Sequence, residues 1–198
     1  MTTDSWAHAR TQALTDRVIQ AAVAVLSDGR PLTFREVAIE SGVAERTLYR
    51  HFASRTELLT ALFEWSNRRM GCPGERPTDL AGATALVRAA FPGFDGLAPV
   101  VRELLTSPEG QAVRFADKSE RQRSALELVR QEAPKLSRTD ARRIAAVVQM
   151  LLTAVTWQAL RDYWDMDGDE AAEAVTLALT LLLRGANTRP NPNTGADS

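Results

Sequence analysis

At 198 residues, with 44% apolar and 25% charged side chains, the chain is long enough to bury a real core, as one large domain or two small ones. A formal net charge of −1 excludes a polycation that coats nucleic acid along its whole length. The single cysteine, Cys72, excludes an internal disulfide, and with only His8 and His51 beside it a structural zinc of the usual Cys/His kind is not expected.

No stretch alternates apolar and polar residues cleanly and no Asn-Gly hairpin signal occurs, while helical spacing recurs everywhere, so the expected fold class is all-α, with about nine helices. The N-terminus holds Asp4 and Arg10 and no apolar run, which does not read as a secretory signal. A first helix places Leu14, Val18, Ala22 and Val25 on one stripe and stops at Asp28-Gly29. Thr33 followed by Glu36 is a capping box for a second helix, with Phe34, Val37 and Ala38 on one face. Gly42 can take the left-handed conformation that ends it, and Val43 can plug the corner. A third helix runs from Ala44 to Phe52, turning Leu48 and Phe52 inward and Arg46, Thr47, Arg50 and His51 largely outward. Ser54 and Glu57 form a second capping box, opening a fourth helix through Leu58, Leu59, Leu62 and Phe63 toward Met70.

"GCPGERP" breaks that helix. Thr78 and Asp79 open a fifth through Leu80, Leu86 and Val87 to Phe91, where "PGFDG" is expected to stop it. A short sixth covers roughly Pro99 to Leu105. Pro108 suits the first turn of a seventh, running through Phe115, Leu126 and Val129. Ser137 and Asp140 begin an eighth that reaches Trp164; its uncharged run from Ile144 to Leu160 contains Gln149, Thr153, Thr156 and Gln158 and reads as a helix buried among others, not as a membrane span. A ninth follows Asp167-Gly168-Asp169 and runs to Arg184, with Gly185 closing it. Residues 187–198 read as a disordered polar tail.

Two short helices joined by a tight glycine turn, the second with a basic outer face, describe a helix-turn-helix. Residues 1–70 hold nine Arg against eight Asp and Glu, so the basic signal is confined to Arg46, Arg50 and Arg55, which meet no acid before Glu57. The stretch "TFREVAIESGVAERTLYRHFASRTELL" resembles the signature of the TetR (tetracycline-repressor-like) family of bacterial transcription regulators, over roughly residues 10–65. Two positions depart from the common pattern: Ala44 stands where Ser or Thr often caps the recognition helix, and Arg55 where Lys is usual. The resemblance implies residues 1–70 as a helix-turn-helix DNA-binding domain, with a three-helix core at about 10–54 and helix four as the link. Residues 71–186 would then form a helical ligand-binding and dimerisation domain.

Residues at the start of a recognition helix reach base edges, here Glu45, Arg46 and Thr47, with Arg46 suited to guanine and the Thr47 methyl to thymine. The resemblance further implies DNA contacts for Tyr49 and His51, and phosphate contacts for Thr33 and Arg55 at the starts of helices two and four, where helix N-termini favour anions. Arg50 completes the basic outer face. Aromatic and Met side chains spread through helices four to eight are candidates to line an effector pocket: Phe63, Trp65, Met70, Phe91, Phe94, Phe115, Met150 and Trp157. Apolar stripes at Ile144, Val148, Leu151 and Val155 and at Val175, Ala178 and Leu182 fit a dimer interface. The function expected is therefore a ligand-responsive regulator, a cytoplasmic repressor. It would bind double-stranded palindromic operator DNA as a homodimer and be released by a small, largely apolar effector, with no cofactor and no membrane partner. An all-helical enzyme is the first rival; no nucleophile–base pair, metal cluster or Gly-rich phosphate loop favours it. The second is an interaction module whose helix-turn-helix no longer binds DNA, against which the outward Arg46, Thr47, Tyr49 and Arg55 argue.

Overall fold

The computed structural model describes residues 3–72 and 75–188, and among these there is no strand. Eleven helices follow one another: α1 (Thr3–Ser27), α2 (Phe34–Ser41), α3 (Glu45–His51), α4 (Arg55–Arg69), α5 (Leu80–Gly96), α6 (Ala98–Thr106), α7 (Pro108–Phe115), α8 (Lys118–Glu132), α9 (Arg138–Leu151), α10 (Ala154–Trp164) and α11 (Gly168–Thr188). Among the described residues they divide into two compact units, one of residues 3–68 with 97–116, the other of residues 69–72, 75–96 and 117–188.

The first unit gathers α1 to α4 and adds the α6–α7 hairpin. Its core joins Val18, Ile19, Ala22 and Val25 of α1 to Val37, Leu48, Phe52, Leu58 and Leu62, and then to Val100, Leu104 and Val113 of the hairpin. Each large apolar side chain removed from water here contributes about 1.5–3 kcal/mol. Residues 97–116 thus cluster with the N-terminal helices, although they lie beyond the boundary expected near residues 71–78. The tight corner between α6 and α7 has a local cause. Ser107 caps α7, accepting from Gly110 N at 3.1 Å, while its own hydroxyl donates to Glu103 O at 2.8 Å. A Cβ on Gly110 would stand 2.6 Å from Leu104 O, so glycine lets the two helices meet.

In the second unit α5 packs against α10 and α11, and α8 against α9. Asp95 organises one end of it. Its carboxylate accepts from the Trp157 indole N–H at 3.0 Å, from the Arg161 guanidinium at 3.0 Å and from Gly168 N at 2.5 Å. Gly168 is pressed onto α5: a Cβ there would meet the Phe91 carbonyl carbon and Pro92 Cα, both at 2.6 Å.

Four expected boundaries move, each for a stated reason. α5 does not stop at Phe91 but carries Pro92 inside it to Gly96, so that Asp95 stays on the helix and reaches Trp157, Arg161 and Gly168. The expected seventh helix is two, α7 in the first unit and α8 in the second, divided at Ala116-Asp117. The expected eighth helix is also two, α9 and α10, bent by 65°. Thr153 is extended there (φ −113°, ψ 157°), and the hydroxyls of Thr153 and Thr156 both donate to Met150 O, at 2.8 and 2.7 Å. Side-chain hydroxyls that satisfy the end of one helix let the next begin in a new direction. α11 runs through Gly185 to Thr188, because Leu183 and Ala186 are still buried on its inner face. Asn187 and Thr188 are therefore helical; residues 189–198, the rest of the expected tail, lie outside the described residues. No single helix among the described residues is long and apolar enough to cross a membrane.

Candidate nucleic-acid interface

The site is built on α2 and α3. Thr33 is extended (φ −121°, ψ 155°) and its hydroxyl accepts from Glu36 N at 3.1 Å, capping α2. The Glu36 carboxylate does not return to Thr33; it joins Asp28 and Glu40 around Arg30. Gly42 ends α2 in the left-handed region (φ 64°, ψ 20°), a conformation that costs an L side chain about 1 kcal/mol or more. Ala44 at the start of α3 makes no side-chain cap, so α3 depends on its core residue Leu48, which is fully buried. Seven residues of α3 thus leave the surface with fixed orientations, set by Leu48 on one side and the glycine corner on the other.

On the outer face Glu45, Arg46, Tyr49 and Arg50 are exposed and Thr47 is half-buried. Arg46 and Arg50 enter no ion pair among the described residues, so their charges are open to an anion. Tyr49 is held without losing its hydroxyl. Its ring lies on that of Phe34, with centroids 4.4 Å apart at 33°, while 53% of the residue stays accessible. His51 points to α1, where its Nε2 and the Thr15 hydroxyl are 2.8 Å apart, and its ring meets the edge of Phe52. It braces α3 against α1 and is only half-exposed.

Ser54 caps α4 through Glu57 N at 3.2 Å, and the Glu57 carboxylate accepts from Ala53 N at 2.8 Å. Arg55, expected to contact phosphate, is engaged within the protein. Its guanidinium is taken by Glu103 of α6 and, at 2.5 Å, by Glu109 of α7, and its Nε donates to Leu32 O at 3.1 Å. With every nitrogen engaged and two carboxylates beside it, Arg55 offers no free positive charge in this conformation. Two cations outside the expected set do lie on this unit. Arg35 is exposed at the start of α2, two residues after the Thr33 cap. Arg17 of α1 reaches the corner, since a Cβ on Gly42 would stand 3.1 Å from its guanidinium. The signal for Arg35 was its place in the first helical turn.

Of the eight expected pocket residues only Phe91, Phe94 and Trp157 touch one another. Phe63 and Trp65 pack on the core of the first unit. Phe91 and Trp157 are interior side chains of the second, each in ring contact with Phe94 at 5.7 and 5.5 Å. Met70 lies over Gly93, while Phe115 and Met150 are 56% exposed. A depression of about 750 Å³ does open in the second unit, but it is lined by Asp95, Arg161, Asp162, Asp165, Met166 and Asp167. Cys72 is half-buried, and burial pushes its thiol pKa up, away from the reactive thiolate.

Of the expected interface residues, Val148 and Val175 belong to the protomer's own core, at 0% and 2% accessible. Ile144, Leu151, Ala178 and Leu182 are half-buried. On α9 to α11 the outward aliphatic and Met side chains are Val147, Met150, Val155, Leu177 and Leu181, from 43% to 60% accessible, with Tyr163 and Trp164 of α10 more exposed still.

Residues 18–62 match the family model described as bacterial regulatory proteins, tetR family. No curated protein sequence matches the chain. The solved structure of a transcriptional regulator from Rhodococcus sp. Rha1 is similar in fold, with a TM-score of 0.57 and 14% identity, covering 89% of this chain and 99% of that one.

Proposed function

The chain belongs, through residues 18–62, to the tetR family of bacterial regulatory proteins, and from that premise we propose that it is a non-enzymatic cytoplasmic repressor that binds a palindromic operator as a homodimer. The observation that carries the reading is α3 itself. It holds Arg46, Tyr49 and Arg50 on one exposed face, with Leu48 locked beneath and the capped starts of α2 and α4 beside it. Such a helix can enter a major groove, reading bases with the residues of its first turn while the helix N-termini and Tyr49 engage phosphates.

A homodimer supplies the second recognition helix that an inverted repeat requires, about 34–36 Å away. The exposed Leu177 and Leu181, four residues apart on α11, support self-association, because a contiguous apolar strip on a helix is a surface a partner can cover. A small molecule that binds the second unit and favours the non-binding state releases the operator. Phe91, Phe94 and Trp157 pack on one another, and the depression beside them carries Asp95, Arg161, Asp162, Asp165, Met166 and Asp167, which suits a small molecule with polar groups more than a purely apolar one.

The test is selection of binding sites from a random duplex library with the full chain, followed by gel shift on the enriched sequence. An inverted repeat is expected, with affinity falling as salt rises at a log–log slope of about 0.9 per phosphate neutralised. A library that yields no enriched sequence, or an affinity indifferent to salt, would sink the reading.

A further inference from the structure

Arg55 is the first residue of α4, directly after the exposed Ser54 cap and four residues past the end of α3. A cation there is well placed for phosphate, yet two carboxylates from two other helices converge on it. We propose that Glu103 and Glu109 act as an internal stand-in for DNA phosphate. They hold Arg55 out of DNA contact, so that the position of the α6–α7 hairpin sets how many phosphates the DNA-reading unit neutralises. The proposal deepens the DNA-binding reading and rests on it.

Three features support an exchangeable contact over a buried structural tie. The Arg55 side chain is 30% accessible and that of Glu109 36%, so a phosphate oxygen can reach the guanidinium without unfolding the unit. Carboxylate and phosphate offer the same forked acceptor geometry to a guanidinium, so one can replace the other. The two carboxylates also sit on one braced hairpin. The Ser107 hydroxyl ties α6 to α7, Arg114 Nε donates back to Leu104 O at 3.0 Å, and Gly110 seats against Leu104. The hairpin continues along the chain into α5 at one end and α8 at the other, both helices of the second unit. A ligand that shifts the ends of α5 or α8 therefore pulls on the segment that holds Arg55.

The experiment measures binding of the full chain to a mixed-sequence duplex by fluorescence anisotropy across a salt series, which needs no known operator. Glu103→Gln with Glu109→Gln should steepen the log–log salt slope by about 0.9, the value of one added phosphate, and raise affinity at low salt. Arg55→Ala in that background should return the slope to the wild-type value, whereas Arg55→Ala alone should leave the wild-type slope unchanged. If the doubly substituted chain melts early, Glu109→Gln alone, at the more exposed carboxylate, should give the same steepening in part. A folded variant with an unaltered slope overturns the proposal and makes Arg55 a structural tie. So does a slope that falls by about 0.9 with Arg55→Ala alone, since Arg55 would then already touch DNA. A wild-type chain that binds no duplex at any salt fails earlier, at the DNA-binding reading itself.

Discussion

Tyr49 packs on Phe34 and, in the proposed complex, offers its hydroxyl to phosphate, and substitution can split these two jobs. Tyr49→Phe removes only the hydroxyl. The ring pair with Phe34, at 4.4 Å between centroids, remains, so stability should stay within about 0.5 kcal/mol of wild type. If the hydroxyl donates to a phosphate, the lost bond is one to a charged group, worth about 1.5–3 kcal/mol, or roughly a ten- to 150-fold loss in affinity. Phosphate carries no sequence information, so the loss should be equal on the selected operator and on a scrambled duplex. Tyr49→Ala should add the loss of the ring pair, about 0.5–1.5 kcal/mol, and lower Tm by a few degrees at about 2–4 °C per kcal/mol. Thermal melting and anisotropy on both duplexes measure the two effects. An unchanged affinity for Tyr49→Phe would leave the hydroxyl without a phosphate. A loss confined to the operator would move Tyr49 from positioning to base reading.

Arg46→Ala should relax preference at one or two base pairs, at about 1–3 kcal/mol, and a repeated site selection that returns the wild-type motif would exclude it from base reading. Leu177→Glu with Leu181→Glu should yield a folded monomer by light scattering and circular dichroism, because both residues are 60% accessible in the protomer. Val175→Glu should instead unfold the chain, since it buries a lone charge. Gly168→Ala should destabilise by about 1–3 kcal/mol in denaturant melts, its Cβ forced to 2.6 Å from Phe91 and Pro92 backbone atoms; a neutral result would mean α11 can shift along α5 at little cost.

Features set by neighbours within about one helical turn were legible in the sequence. The caps at Thr33 and Ser54, the left-handed Gly42 and the inward Leu48 all follow from short spacings, and the structure has each of them. Local signals misled where tertiary packing outweighed them. Pro92 and Gly185 are ordinary helix breakers, yet both lie inside helices, because the residues beyond them, Asp95 in α5 and Ala186 in α11, have buried or bonded positions to reach. Arg55 shows the same limit for charge. After a helix cap it reads as a phosphate anchor, but the acids that claim it lie 48 and 54 residues away, and nothing in the spacing of Glu103 or Glu109 points back to it.

α11 shows why self-association cannot be read from periodicity alone. Val175, Leu179 and Leu183 recur every fourth residue and are buried, yet Leu177 and Leu181 recur at the same interval on another side and are exposed. The outer side of α11 thus mixes Leu177 and Leu181 with the exposed Glu173 and Arg184, so the apolar residues alone mark no single face. Within one protomer α11 is covered on the side that meets α5 and α8 to α10, and there the intramolecular partners run out. Spacing puts Val175 and Val148 on the same footing as Leu177 and Leu181, because it ranks apolar residues without saying which of them a single chain can bury. Under the proposed homodimer, a twofold pairing over Leu177 and Leu181 would bury these exposed leucines from both copies at one operation.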